Sequence, residues 1–309
     1  METGILVEEL GRCVAPTPFL ATVTQFAPMV LEAGSSFRLG DVTAGTCTGA
    51  LAVAEHGRWR PDAVETVARR VPGGWELHGT KSHVVDGATA DEIAVVVRAE
   101  GTAGAGGLGV IVVAGEATSA TGSPSIDPTL PVASVRLDRL VVPDDRVLVE
   151  PGDPRAEPIV ERALHHATAA LALSTVASCR TIFETTLQYA KDREQFGRPI
   201  GSFQALKHRL ADCYLAVERA SSLAYFAALT IAEDDDRRAV AASMAKSAAG
   251  DCQRLLVADG LQLHGGVGFT WEHDLHFPMK RAKAGDLLFG TAATHRARLA
   301  RLLGLEPAA

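Results

Sequence analysis

Residues 192–212 read DREQFGRPIGSFQALKHRLAD. Leu164, Leu171, Ile182 and Tyr189 precede this stretch at helical spacing, and Gly197, Pro199 and Gly201 then interrupt the pattern. Phe203, Leu206, Leu210, Tyr214 and Val217 restart a 3.6-residue period, with Ser202 as the expected N-cap. Arg193, Gln195 and Phe196 therefore fall at a junction between two helices. There a guanidinium can pair with a phosphate and an amide can hold a polar ligand edge. The same residues also suit the surface of an ordinary helical hairpin.

Towards the C-terminus, EDDDRR (233–238) is polar enough for a turn and Val240–His264 reads as a third helix, which HGGVG ends. A last helix is expected from Leu275 to Leu303, with an irregularity near Gly285 and Gly290. Towards the N-terminus, residues 46–150 change period. TCTGALAVAE, WELHGTKSHVV, EIAVVVRAE, GVIVVAG and ASVRLDRLVV are short, β-branched and separated by turn residues. Residues 1–45 hold apolar spacings of three and four around Pro16 and Pro18, predicting two short helices. No helices lie between the strands, so the class is α+β rather than parallel α/β. The expected parts are helices over 1–45, a central antiparallel β domain over 46–150 and a four-helix bundle over 151–309.

Several function classes drop out. The chain has 309 residues, 47% of them hydrophobic, and a net charge of −7 without a long basic run, so nucleic acid is not an expected partner. Glu2, Glu8 and Glu9 stand where a secretory signal carries positive charge, and Ala163–Cys179 is too polar for a bilayer span. No membrane association is expected. Cys13, Cys47, Cys179, Cys213 and Cys252 form no C-x-x-C pair, which predicts neither disulfides nor a metal site and fits a cytoplasmic setting. Gly104, Gly106 and Gly109 match G-x-G-x-x-G with Asp127 downstream, but a strand follows where a dinucleotide fingerprint must open a helix. A plain loop is expected. His165 and His166 diverge on a helix, and His264, His273, His276 and His295 lack a nucleophile and acid to complete a hydrolytic set.

The 192–212 stretch resembles the helix-turn-helix signature of acyl-CoA dehydrogenases. GLQLHGGVGFTWEHDLHFPMKRAKAGDLLFGT, residues 260–291, resembles a second signature of that family. LHGTKSHVVDGATADEIAVVVR (77–98) resembles its β-domain segment beside the flavin, and GILVEELGRCVAPTPFLATV the last part of its N-terminal helical domain, which is expected here in truncated form. The resemblance implies an FAD-dependent α,β-dehydrogenation of an acyl-CoA, in which a carboxylate takes the α-proton and the flavin takes hydride. It implies that Arg193, Gln195 and Phe196, with Gln262, Gly265 and Gly266, bind FAD across a subunit interface, and that an electron-accepting flavoprotein serves as a further partner.

In most of the family a Glu, the catalytic base, precedes the Gly-Thr pair that matches Gly290-Thr291. Here that residue is Phe289. Asp251 is the candidate replacement, expected to face inward among Ala241, Met244, Ala248 and Leu255, where burial would raise its pKa. His83 and Val85 stand where the family commonly has Trp and Thr against the flavin, and AVAEHGRW lacks the usual Gly-Ser-Asp run. These departures predict a partner of a catalytically complete paralogue in a hetero-oligomer, as in actinobacterial dehydrogenases of steroid side-chain thioesters. A homo-oligomeric autonomous dehydrogenase using Asp251, a flavin monooxygenase on the same fold and a structural subunit without flavin remain open.

Overall fold

Runs of Val and Ile broken by Gly and Asp become eight strands of one sheet: β1 (Gly49–Ala52), β2 (Val67–Val71), β3 (Gly74–Val85), β4 (Glu92–Ala99), β5 (Leu108–Ala114), β6 (Ser119–Ser123), β7 (Val132–Val142) and β8 (Val147–Val149). The computed structural model describes residues 1–104 and 106–305, so the last four positions of the expected 151–309 domain lie outside the described residues. The order is β6-β7-β3-β2-β4-β5-β8, with β1 also on β4. Ala50, Leu77, Ile93, Val95, Ile111, Val135 and Leu137 fill the core beneath it.

Most neighbours are antiparallel as expected, but the sheet is mixed. β1 pairs with β4 in parallel through residues 92–95, and β2 pairs with β4 in parallel through Arg98 and Ala99. The chain thus runs along β4, loops out over residues 53–66 and rejoins the same strand, and a hairpin reading could not foresee that detour. Three short strands, β2, β6 and β8, were not legible as strands.

The detour is closed by one buried ion pair. Glu55 accepts hydrogen bonds from the Glu65 amide (2.7 Å), the Thr66 amide (3.0 Å) and the Thr66 hydroxyl (2.7 Å), tying together the two ends of the loop. Its other partner is the Lys81 ammonium at 2.5 Å, which is wholly buried on β3. Burial pushes the Lys81 pKa down to about 8 against the opposing pull of Glu55. Burial pushes Glu55 up, but Lys81 and the Thr66 hydrogen bonds outweigh it and hold the carboxyl below its usual range. A register shift between Lys81 and Val84 turns Lys81 into the core and leaves His83 exposed at φ 52°.

The glycine-rich loop is no phosphate cradle. The buried Arg98 guanidinium donates to the carbonyls of Val64, Gly104 (2.5 Å) and Gly106 (2.9 Å), so the loop turns acceptors inward upon a cation. β5 follows it, as the sequence predicts.

Before the sheet come α1 (Glu2–Arg12), α2 (Phe19–Ala21), α3 (Ala27–Glu32) and α4 (Leu39–Ala44), with a π-turn over Thr22–Phe26 joining α2 to α3. After it come α5 (Ala156–Asp192), the short hairpin β9 (Glu194–Gln195) and β10 (Arg198–Pro199), α6 (Gln204–Ala232), α7 (Arg238–His264), α8 (His276–Leu287) and α9 (Ala292–Leu302). The expected last helix is therefore two helices, parted at Leu288–Thr291. Ser202 lies in a one-turn 3-10 segment rather than at the N-cap of α6, which Phe203 occupies.

Contacts divide the chain elsewhere than at 45 and 150. Thr17–Ala167 forms a unit around the sheet, and Met1–Pro16 belongs with the helices from Thr168 onward. The physical reason lies in the two ends of the N-terminal segment. Gly11 sits on α5, where a Cβ would meet the Ser174 carbonyl at 2.8 Å, and Ser178 donates to the Gly11 carbonyl at 3.0 Å. Phe26 instead covers Gly49 of β1 so closely that any side chain there would clash, and the Thr22 hydroxyl bonds the Gly49 backbone. By length and composition one described helix, α6, could cross a bilayer, with mean hydropathy 1.2. In the helical unit it packs along α7.

Lys81→Met would strand the Glu55 carboxylate in the core. It is expected to cost about 3–5 kcal/mol in urea unfolding of the full chain; a loss below about 1 kcal/mol would contradict the ion pair's closing role.

Candidate functional site

Arg193, Gln195 and Phe196 all stand exposed on the β9–β10 hairpin. Phe196 and Gly197 take φ 56° and 75°, the paired positive values of a two-residue hairpin turn. A left-handed Phe is strained, and this one is 93% exposed, so burial does not explain it. Its ring meets Phe203 edge-on at 6.2 Å, and Arg198 lies over Phe203 at 4.2 Å. Among the described residues no carboxylate pairs with Arg193. Among the described residues the Gln195 side chain bonds the neighbouring Glu194 carbonyl (2.7 Å) and no other group.

The second candidate group adjoins the first. Tyr189, one turn before Arg193, stacks on His264 at 4.4 Å and donates to its carbonyl at 3.4 Å. Gln262 is exposed, and Gly265 and Gly266 follow His264. Gly265 has φ 61° and ψ −140°, a conformation open essentially to glycine alone. Gly266 needs no such freedom, and among the described residues beyond its chain neighbours nothing lies within 4 Å of a Cβ there. The imidazole of His264 is buried, donates through Nδ1 to the Gly260 carbonyl (2.8 Å) and meets His273 edge-on at 4.9 Å. Burial lowers its pKa.

Phe289 lies in the break between α8 and α9, buried, at φ 56°. Both flanks of its peptide unit are anchored. The wholly buried Lys246 ammonium of α7 donates to the carbonyls of Asp286 (2.9 Å) and Gly290 (2.6 Å). His295 bonds the Phe289 carbonyl through Nε2 at 3.0 Å. The Asp286 carboxylate, in turn, accepts from the Ala292 amide (3.2 Å) and Gln253 (3.3 Å). Burial brings Lys246 down to about 7 against the pull of Asp286. Burial, reinforced by Lys246, brings His295 to about 3, so the imidazole is neutral and its Nε2–H is the donor.

Asp251 does not meet its expectation. It is half-buried and its carboxylate is engaged by Arg254 and, at 3.1 Å, by Arg296 of α9. Of the residues expected to bury it, Met244 and Leu255 are themselves only half-buried. α7 is rich in small residues and buried around most of its circumference, so it offers no clean stripe to read, and the arginines that hold Asp251 come from one turn away and from another helix.

In the β unit, Val85 is buried and has no hydrogen-bonding group to offer. His83 packs its ring against Trp59 at 5.5 Å. The loop that replaces the Gly-Ser-Asp run carries Trp59, and Arg60 beside it is engaged by Asp62 at 2.9 Å.

Residues 158–304 match the model of the acyl-CoA dehydrogenase C-terminal domain. Acyl-CoA dehydrogenase IpdE2 of Mycobacterium tuberculosis is 30% identical over 282 residues, 91% of this chain and 71% of that protein. The chain belongs to the acyl-CoA dehydrogenase family. Among solved structures, the ChsE4-ChsE5 complex from Mycobacterium tuberculosis aligns with TM-score 0.85 at 25% identity, covering 99% of this chain and 81% of that one. The steroid ACAD Tcur3481-Tcur3483 aligns with TM-score 0.84 at 27% identity, covering 98% and 80%.

Acyl-CoA dehydrogenases are FAD-dependent oxidoreductases, and this chain's residues suit the two ends of that cofactor unequally. The unpaired Arg193 and the open backbone at Gly266 fit a diphosphate and its adenosine. Val85 can offer the flavin ring no hydrogen bond, and the His83 ring is already packed against Trp59. Sequence reading missed the Lys246–Asp286–His295 network. Its one signal was a lone lysine in the small-residue run SMAKSAAG.

Both anchoring bases have lowered pKa values, so the unfolded chain binds more protons than the folded one between each pair of values. Stability is expected to rise with pH from 3 to 6.5 through His295 and from 7 to 10.5 through Lys246. Each contributes at most about 1.4 kcal/mol per pH unit. Urea melts of Lys246→Met between pH 7 and 9 should lose that upward slope; an unchanged slope would contradict the assignment.

Proposed function

We propose that this chain is the base-lacking partner in a heteromeric, FAD-dependent dehydrogenase of acyl thioesters. The observation that carries the reading is Phe289: a residue that cannot accept a proton occupies the base position, on a loop whose backbone is anchored on both sides. Loss of a positioned base removes about 10² to 10⁴ in rate. A paralogous subunit with Glu at that position would provide it.

In this reading Arg193 pairs with the diphosphate of FAD bound across the interface and Gln195 orients a polar edge of the nucleotide. Phe196 packs against the paralogue, and Gln262 with the bare backbone of Gly265 and Gly266 lies along the adenosine. FAD held there would supply a hydride acceptor for the thioester's β-hydrogen, while the paralogue's Glu would take the α-proton and an acceptor flavoprotein would be the further partner. The strain at Phe196 and the glycine at 266, neither required by this chain's own packing, support the interface role. The resemblance to IpdE2, to a two-protein complex and to a steroid ACAD supports a CoA thioester of a steroid side chain or a fatty acyl group. The free cysteines fit a cytoplasmic setting. The autonomous alternative using Asp251 is weakened by the two guanidinium groups on its carboxylate.

Co-purification with a paralogue that retains Glu before Gly-Thr tests this. Arg193→Ala is expected to lower FAD retained by the pair roughly tenfold, as loss of a charge-assisted contact should. Asp251→Asn is expected to leave turnover of the pair within about twofold. A pair that keeps its flavin without Arg193, or stops without Asp251, would contradict the proposal.

A further inference from the structure

Behind the β9–β10 hairpin lies a cavity of about 420 Å³, walled by Leu187 and Ala190 of α5, Pro199 and Leu210. Ligand pockets commonly measure ~300–1,000 Å³. Gly201 completes the wall. A Cβ there would stand 2.8 Å from the Ala190 carbonyl, so only glycine lets the turn close down on α5.

Two cations, Lys191 from α5 and Lys207 from α6, border this apolar hollow. Neither has a carboxylate at the four-residue helical spacing. The flanking residues are Leu187 and Gln195 for Lys191, and Phe203 and Ala211 for Lys207. The adjacent Asp192 is turned to Gln188, whose amide meets both its oxygens at 2.9 Å. Among the described residues neither lysine has an ion-pair or hydrogen-bond partner. Elsewhere on this chain exposed cations are commonly paired locally, as Arg155 with Asp153 and Arg237 with Asp235. Two uncompensated ammonium groups from different helices, around walls that offer no polar partner, are complementary to a ligand with an aliphatic body and one negative head.

We propose that this cavity binds a medium-chain monocarboxylate, its tail between Leu187, Pro199 and Leu210 and its carboxylate between Lys191 and Lys207. Pro199 and Gly201 belong to the same turn as the exposed hairpin, so the bound acid stiffens the segment that carries Arg193 and Phe196. Binding itself requires neither flavin nor partner subunit, and its outcome is independent of the function proposed above.

Calorimetric titration of the full chain with octanoate is the test, with octanamide and acetate as neutral and short controls. One saturable site is expected for octanoate. Affinity should fall at least about fivefold for either control and for Lys191→Gln/Lys207→Gln. Leu187→Gln, checked by circular dichroism for retained fold, should weaken octanoate while leaving the lysines in place. The proposal is overturned if octanoate gives no saturable binding, if octanamide binds as well, or if the double lysine variant binds undiminished. A self-associated chain that covers the cavity and takes up no octanoate overturns it too.

Discussion

An ammonium group shut away from water must find acceptors, and in this chain the acceptors of Lys246 are the carbonyls of Asp286 and Gly290. That demand shapes the break between α8 and α9. With His295 holding the carbonyl of Phe289 from the other side, the residue at 289 is kept in a left-handed conformation that a bulky side chain would otherwise avoid. The loop is thus built to hold one side chain in one place. What it holds is a phenyl ring, and the conflict between a rigidly presented position and an inert occupant is what the proposed partner role rests on.

The β unit obeys a parallel constraint. Lys81 is buried for the sake of Glu55, and Glu55 closes a loop that leaves β4 and returns to it. Around that closed loop, the positions associated with a flavin ring have become Trp59, His83 and Val85. In the helical unit the polar surface near Tyr189 and His264 is intact, with Arg193 unpaired and Gly266 open. Each unit in its own terms is consistent with the proposed role: the helical unit keeps an unpaired guanidinium and open backbone among the described residues, and the β unit offers a valine and a histidine already packed on Trp59.

Much of the architecture was legible because it rests on long periodic patterns. The 3.6-residue period gave α5, α6 and α7 to within a few residues, and β-branched runs gave β3, β4, β5 and β7. Short strands such as β8, with three residues, carry too little pattern to read, and the parallel return of β2 to β4 depends on an ion pair between residues 26 positions apart. The hairpin residues were legible because Gly and Pro mark the turn. Asp251 was misread because its setting is decided by Arg296, 45 positions away. Lys246 escaped notice for a similar reason: its partners are carbonyls, which the sequence does not display.

The most direct measurement pairs the chain with a paralogue whose Glu before Gly-Thr is replaced by Gln, mixes the FAD-loaded pair anaerobically with acyl-CoA and follows flavin absorbance. Unchanged absorbance over hours is the result this account requires. Prompt bleaching, at the pace of a complete dehydrogenase, would show that a proton acceptor exists within this chain and would contradict it.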